Sequence, residues 1–138
     1  MSLNKDLLRT RCQEIIESCD RLDKIARLSK DAFLSDQDAK DIASYRLLLA
    51  IEGALNICYH ICSKKLKKVP ENYADCFRLL GESALIPPDL ADKLQKMARF
   101  RNLLVHVYWE VDEDLIYTIL LSHVQDLREF VGKVAYLG

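Results

Sequence analysis

Glycine and proline are scarce, 4 and 3 in 138 residues. Loop-rich β architectures need both at their turns, so the scarcity points to long helices. No apolar run approaches the length that crosses a bilayer. The opening stretch MSLNKDLLRTRCQEII is charged and amphipathic and lacks the apolar core of a secretion signal. The five cysteines, Cys12, Cys19, Cys58, Cys62 and Cys76, include no CxxC pair, and their number is odd. A disulfide framework is therefore disfavoured, and a soluble, cytoplasmic chain in a reducing interior is expected. Charge of one sign is lacking as well: the net charge is -1. No bulk field draws the chain to nucleic acid, so any grip on RNA must come from a local basic site. The length suits one domain over residues 1–138, large enough to bury a core without staples.

What is present is helical periodicity. Leu8, Cys12, Ile15, Cys19, Leu22 and Ala26 are spaced alternately four and three apart, which predicts one helix from about Lys5 to about Leu34. Ser35 is the expected N-cap of a second helix, with Asp36 and Asp38 in its first turn. Its stripe is Ile42, Arg46, Leu49, Gly53, Ile57 and His60 or Ile61, and it closes on Lys64, Lys65, Lys67 and Lys68 before Pro70. A third segment covers about Asn72 to Ser83, with Tyr73, Phe77 and Leu80 on its buried side and Gly81 near its end. Pro87 and Pro88 open a fourth, where a missing N–H costs nothing. The short run VYWEV follows, and Asp112 caps a last helix carrying Leu115, Ile119, Val124, Leu127, Val131 and Val134. The expected fold is all-α: an antiparallel four- to five-helix bundle of up-down topology.

The chemistry concentrates in Phe100-Arg101-Asn102-Leu103-Leu104-Val105-His106-Val107-Tyr108. Positions five apart on an ideal helix point about 140° from each other. Arg101 and His106 can converge only if the helix ends or bends between them. The expectation is Arg101 in the last turns of helix four and His106 at its frayed end or in the link. Arginine offers a fork of donors that fits phosphate oxygens and never loses its charge. Histidine exchanges a proton near neutral pH. Together they make a minimal centre for cleaving RNA, whose 2′-OH is an internal nucleophile beside its own phosphate. No metal or other cofactor is required by this scheme. Asn102 could bind phosphate or orient His106, and Tyr108 could donate to phosphate or to the leaving oxygen. From spacing alone, a surface arginine with a hydrogen-bonded helix-end histidine is the plainer reading.

The block Arg101-Asn102-Leu103-Leu104-Val105-His106-Val107-Tyr108 resembles the Arg-Asn-x-x-x-His-x-Tyr signature of HepT-type toxins, in the HEPN superfamily. Arg46-Leu47-Leu48-Leu49-Ala50-Ile51-Glu52 is similar to that family's second helix, Val69-Pro70-Glu71-Asn72-Tyr73-Ala74 to its middle link, and Val111-Asp112 to its last helix start. The similarity covers roughly Ala39 to Val134. It implies a homodimeric helical bundle whose two motifs face each other across a cleft. It also implies a metal-independent endoribonuclease with Arg101 and His106 as the catalytic pair and Asn102 and Tyr108 in support. The implied setting is a toxin–antitoxin pair with an MntA-type nucleotidyltransferase, which can silence the toxin by transferring AMP to Tyr108. A phosphate-bearing adduct there would fill the anion site and repel RNA.

Two other functions fit the same features: a non-catalytic helical partner of a nucleotidyltransferase, and a helical dimer with a structural role. Cys58, His60 and Cys62 invite a metal reading, but no second pair is visible and structural zinc takes four ligands, so packing is preferred. Glu52 reads as one half of a salt bridge to Arg46 or Arg101, ahead of a place lining the cleft. The lysine run reads as helix-end solvation ahead of an RNA path. Gly53 reads as a close helix crossing, His123 as a solvated or capped polar residue, and Trp109 and Tyr117 as packing residues, with Trp109 the better candidate to stack on a base.

Overall fold

The computed structural model describes residues 3–105 and 112–137. Among these residues there are seven α-helices and one π turn, and no strand. The helices are α1 (Lys5–Ala26), α2 (Lys30–Ser35), α3 (Gln37–Ile61), α4 (Tyr73–Glu82), α5 (Pro88–Val105), α6 (Glu113–Ser122) and α7 (Val124–Val134). The π turn, Cys62–Leu66, continues α3 and ends on Lys67, whose φ of 57° is left-handed. Among the described residues, no helix is long and apolar enough to cross a membrane.

Asn4 opens α1 by accepting a hydrogen bond from the Leu7 N–H at 3.1 Å. The stripe Leu8, Cys12, Ile15, Cys19 and Leu22 is buried as its spacing requires. The helix does not run on to Leu34. Ser29 Oγ accepts the Ala32 N–H at 3.1 Å and starts α2 afresh. Asp36, not Ser35, caps α3 through the Ala39 N–H at 3.1 Å, while Ser35 closes α2 by donating to the Asp31 carbonyl at 2.8 Å. Short polar side chains here capture backbone N–H groups that a continuous helix would have used. The last expected helix divides likewise at His123, which caps α6 outside helical geometry (φ -123°).

α1 and α3 pack antiparallel: the Asn4 N–H donates to His60 Nε2 at 2.9 Å, and Arg46 reaches Ser18 at 3.5 Å. Their approach is close. A Cβ on Gly53 would lie 3.0 Å from Ile15 Cγ1, so Gly53 marks a helix crossing. α7 runs back along α1, with Arg128 between Asp20 and Asp23. α4 and α5 also lie antiparallel, and a Cβ on Gly81 would meet the Ala91 methyl at 2.6 Å. The core runs through all these pairs, with Phe33, Leu47, Phe77, Leu80 and Phe130 fully buried and the Phe77 and Phe130 rings edge to face at 5.7 Å. Tyr117 is a packing residue: its hydroxyl donates to the Leu28 carbonyl at 2.6 Å and its ring lies 5.3 Å from Phe33. From Gly53 onward the expected stripe is buried, with Gly53, Ile57 and Ile61 in the core, but over the first half of α3 the buried face is rotated from it. Ala39, Ala43, Leu47, Ala50 and Ala54 face inward, and Ile42 is exposed.

Candidate active site

Pro87 and Pro88 place the start of α5, and its described part reaches Val105, seventeen residues on. Arg101 stands in that last stretch, where α5 passes both α3 and the first residue of α4. Three neighbours define its direction. Arg101 Nε donates to Glu52 Oε1 from α3. Its Nη1 donates to Asn102 Oδ1 at 3.3 Å. Its guanidinium carbon lies 4.6 Å from the centre of the Tyr73 ring. The ring supplies the electron-rich face that attracts a cation, and it is itself held edge to face by Tyr59 at 6.0 Å.

With Nε committed to Glu52, the outer pair of nitrogens keeps N–H donors in the planar fork that suits two phosphate oxygens. Asn102 is exposed and joins Asn72, Tyr73, Ala74, Ala98 and Arg99 in lining a cavity of 320 Å³. Capping explains why α4 begins there: the Asn72 side chain accepts the Asp75 N–H at 2.8 Å, which fixes Tyr73 as the first helical residue. Asp75 is held below the usual carboxylate range by the Glu71 N–H and then by Arg78, so the turn remains charged and locked.

Of the four residues singled out in the motif, the structure brings Arg101 and Asn102 together. His106 and Tyr108 lie outside the described residues, as do Trp109, the rest of the VYWEV run and the expected break at the end of helix four. Two open questions of the sequence are answered. Glu52 pairs with Arg101 and not with Arg46, which instead sits 5.7 Å from the Tyr45 ring. His123 is a cap with a partner, its Nδ1 3.0 Å from the buried Asp126 Oδ2.

Sequence reasoning missed two members of the site. Tyr73 was assigned to the buried side of its helix; it is instead 37% exposed and carries the guanidinium on its face. Its position directly after a cap residue, at a helix start, was the available signal. Arg99, two residues before Arg101, lines the same cavity as Asn102 and adds a second cation on α5. Cys12 and Cys19 are buried on α1 as members of its apolar stripe. The packing reading of Cys58 and Cys62 is incomplete, because the fold brings Cys76 to them.

The description "Ribonuclease HepT-like" belongs to the family that matches residues 15–134. The chain is 30% identical over 102 residues to an mRNA nuclease HepT of Shewanella oneidensis, covering 74% of this chain and 77% of that one. It is 29% identical over 129 residues to a tRNA nuclease HepT of Aphanizomenon flos-aquae, covering 93% and 87%. Among solved structures it is similar to the tri-AMPylated Shewanella oneidensis HEPN toxin in complex with MNT antitoxin, with a TM-score of 0.84, 26% identity and coverage of 94% and 96%. A toxin–antitoxin structure with AMP-PNP gives a TM-score of 0.85 at 25% identity, with coverage of 94% and 97%. The family match contains every helix from the middle of α1 to the end of α7, together with the Arg101 motif, and so the chain belongs to the HepT-like ribonuclease family.

Proposed function

We propose that this HepT-like ribonuclease is a toxin that cuts RNA by internal transesterification, with Arg101 and His106 as its catalytic residues. The ribose 2′-oxygen attacks the adjacent phosphorus, the 5′-oxygen leaves, and the products are a 2′,3′-cyclic phosphate and a 5′-hydroxyl. His106 moves the proton, and Arg101 bears the charge that builds on the phosphate oxygens. Asn102 and Tyr108 supply further hydrogen bonds to phosphate. These roles need no metal for charge balance, because the guanidinium provides the cation and the imidazole the proton exchange. The observation that carries the reading is the fixed guanidinium: Glu52 and Tyr73 hold it from two sides, inside the Arg-Asn-x-x-x-His-x-Tyr block.

The active species in this reading is a homodimer whose two motifs share one cleft. Its antitoxin is an MntA-type nucleotidyltransferase. The transferase would join the Tyr108 phenol oxygen to the α-phosphorus of ATP with loss of pyrophosphate, leaving AMP where RNA must bind. The similarity to a tri-AMPylated toxin in complex with its antitoxin supports this part.

Purified, unmodified protein should cleave RNA in EDTA and leave cyclic phosphate ends. Arg101→Ala or His106→Ala should slow cleavage by about 100-fold or more, the scale of losing a group that stabilises the transition state, with helicity by circular dichroism unchanged. Two variants that cut at the wild-type rate would remove the assignment. Binding of the transferase without any cleavage would favour a docking role.

A further inference from the structure

Three thiols that the nuclease reading does not use meet inside the core. Cys58 lies in the last turns of α3, Cys62 opens the π turn, and Cys76 stands on α4; all three are buried. Their Sγ atoms all lie within 4.8 Å of one another, and those of Cys62 and Cys76 are 3.7 Å apart. Residues four apart share a helix face, so the chain's own spacing accounts for Cys58 beside Cys62. Only the packing of α4 brings in the third sulfur. Metal–sulfur bonds of about 2.3 Å put the sulfurs of a trigonal or tetrahedral centre about 3.8–4.0 Å apart. The Cys62–Cys76 separation of 3.7 Å lies just below that range, and the other two stay within 4.8 Å.

Ligand number and charge narrow the choice of ion. Among the described residues the group has three members, with no fourth His, Cys or carboxylate. Structural zinc takes four ligands, whereas thiolates in low coordination select the soft ion Cu(I). Burial keeps water from completing the set. Lys64 and Lys65 lie on the π turn and Lys67 and Lys68 follow it, with the Lys68 N–H bonded to the Cys62 carbonyl at 2.9 Å. These cations oppose the negative charge of a trithiolate at this end of α3. π turns are frequent where a helix is adapted to function.

We propose that Cys58, Cys62 and Cys76 bind a single Cu(I) ion as a three-thiolate site that ties the end of α3 to α4. Binding replaces three S–H bonds with three Cu–S bonds. Three protons leave to solvent and the copper stays monovalent, so no oxidant or reductant takes part. Cys76 is one turn beyond Tyr73, so the bound ion would also brace the helix that supports Arg101.

The test is an anaerobic titration of the reduced full chain with Cu(I) delivered from a competing chelator, followed by X-ray absorption at the copper edge. The expected result is one ion per chain, with three sulfurs at about 2.3 Å. Cys76→Ser should weaken binding by more than about 100-fold, beyond the effect of losing a supporting hydrogen bond. Cys12→Ala/Cys19→Ala should bind as wild type does. Fewer than one ion per wild-type chain, a two-sulfur spectrum, or equally tight Zn(II) binding would each overturn the proposal. Because stoichiometry and spectrum are read on the wild-type protein, they decide the matter even if the Cys76 variant does not fold.

Discussion

What Arg101 contributes depends on where its guanidinium fork points. Glu52 acts on it in two opposed ways. The carboxylate fixes Nε and so aims the outer nitrogens, yet it also offsets part of the positive charge a phosphate would feel. Arg101 is 19% exposed and Glu52 42%, so water screens the pair. Relief of one screened charge contact is worth about 1 kcal/mol, about fivefold in rate, whereas misplacing a catalytic group by about 1 Å can cost about 100-fold. Orientation wins. Glu52→Ala should lower cleavage by about 10- to 100-fold, with Glu52→Gln falling between because its amide oxygen still accepts from Nε. Single-turnover rates on one RNA would measure both, and a Glu52→Ala variant faster than wild type would mean that Glu52 restrains the arginine. At this scale the sequence was partly legible. It marked Arg101, Asn102 and Glu52, because a charged residue within an apolar helix needs a partner. It could not choose between Arg46 and Arg101, nor see Tyr73 or Cys76, since those contacts join helices whose packing no local spacing encodes.

The elements show why some boundaries could be read and others not. Pro87–Pro88, Asn72 and Asp112 announce helix starts through chemistry confined to a few residues, and α5, α4 and α6 begin where they indicate. The breaks after Ala26 and at His123 are hidden because apolar periodicity resumes beyond each of them, leaving only Ser29 and His123 as faint signals. The rotated face in the first half of α3 has a related cause. Ala39, Ala43, Ala50 and Ala54 bring the helices close by being small, and small residues weigh little in a hydrophobic stripe. Two consequences can be measured. At Gly53 the nearest obstacle is an Ile15 side chain that can shift, but at Gly81 it is the Ala91 methyl, fixed to the α5 backbone. Gly81→Ala should therefore cost about 1–3 kcal/mol by overpacking and Gly53→Ala less, as read from urea midpoints. The second concerns the contact between Asn4 and His60. Burial, and then the Lys64 ammonium, hold the His60 imidazole below its ordinary 6.5. The unfolded chain thus takes up a proton before the folded one does. Stability from this contact is present above the unfolded value and is lost as pH falls below it toward the depressed folded value. Hydrogen exchange at the first turn of α1 should rise below about pH 6 relative to the intrinsic rate, and His60→Gln should flatten that dependence.

Across the whole molecule the question is how a chain of net charge -1 grips a polyanion. Arg101 and Arg99 are the cations α5 brings to the site and its cavity, and two such positions give a weak, short-range field. A dimer doubles the count without changing the sequence. The surface also presents large apolar side chains that a lone bundle leaves in water, including Tyr45 at 60% and Leu103, two residues beyond Arg101, at 58% exposed. If both motifs share one cleft, a dimer of one Arg101→Ala chain and one His106→Ala chain still holds one guanidinium and one imidazole there. Each variant alone holds only two copies of a single group. Mixing equal amounts of the inactive variants under conditions that exchange subunits should then restore a measurable fraction of wild-type cleavage, up to about one eighth, because about half the dimers are heterodimers and each keeps one of four Arg–His pairings. Light scattering should report twice the chain mass throughout. A mixture that exchanges subunits yet stays as inactive as its parents would place both groups of each centre on the same chain, and catalysis would then have to be explained within one bundle.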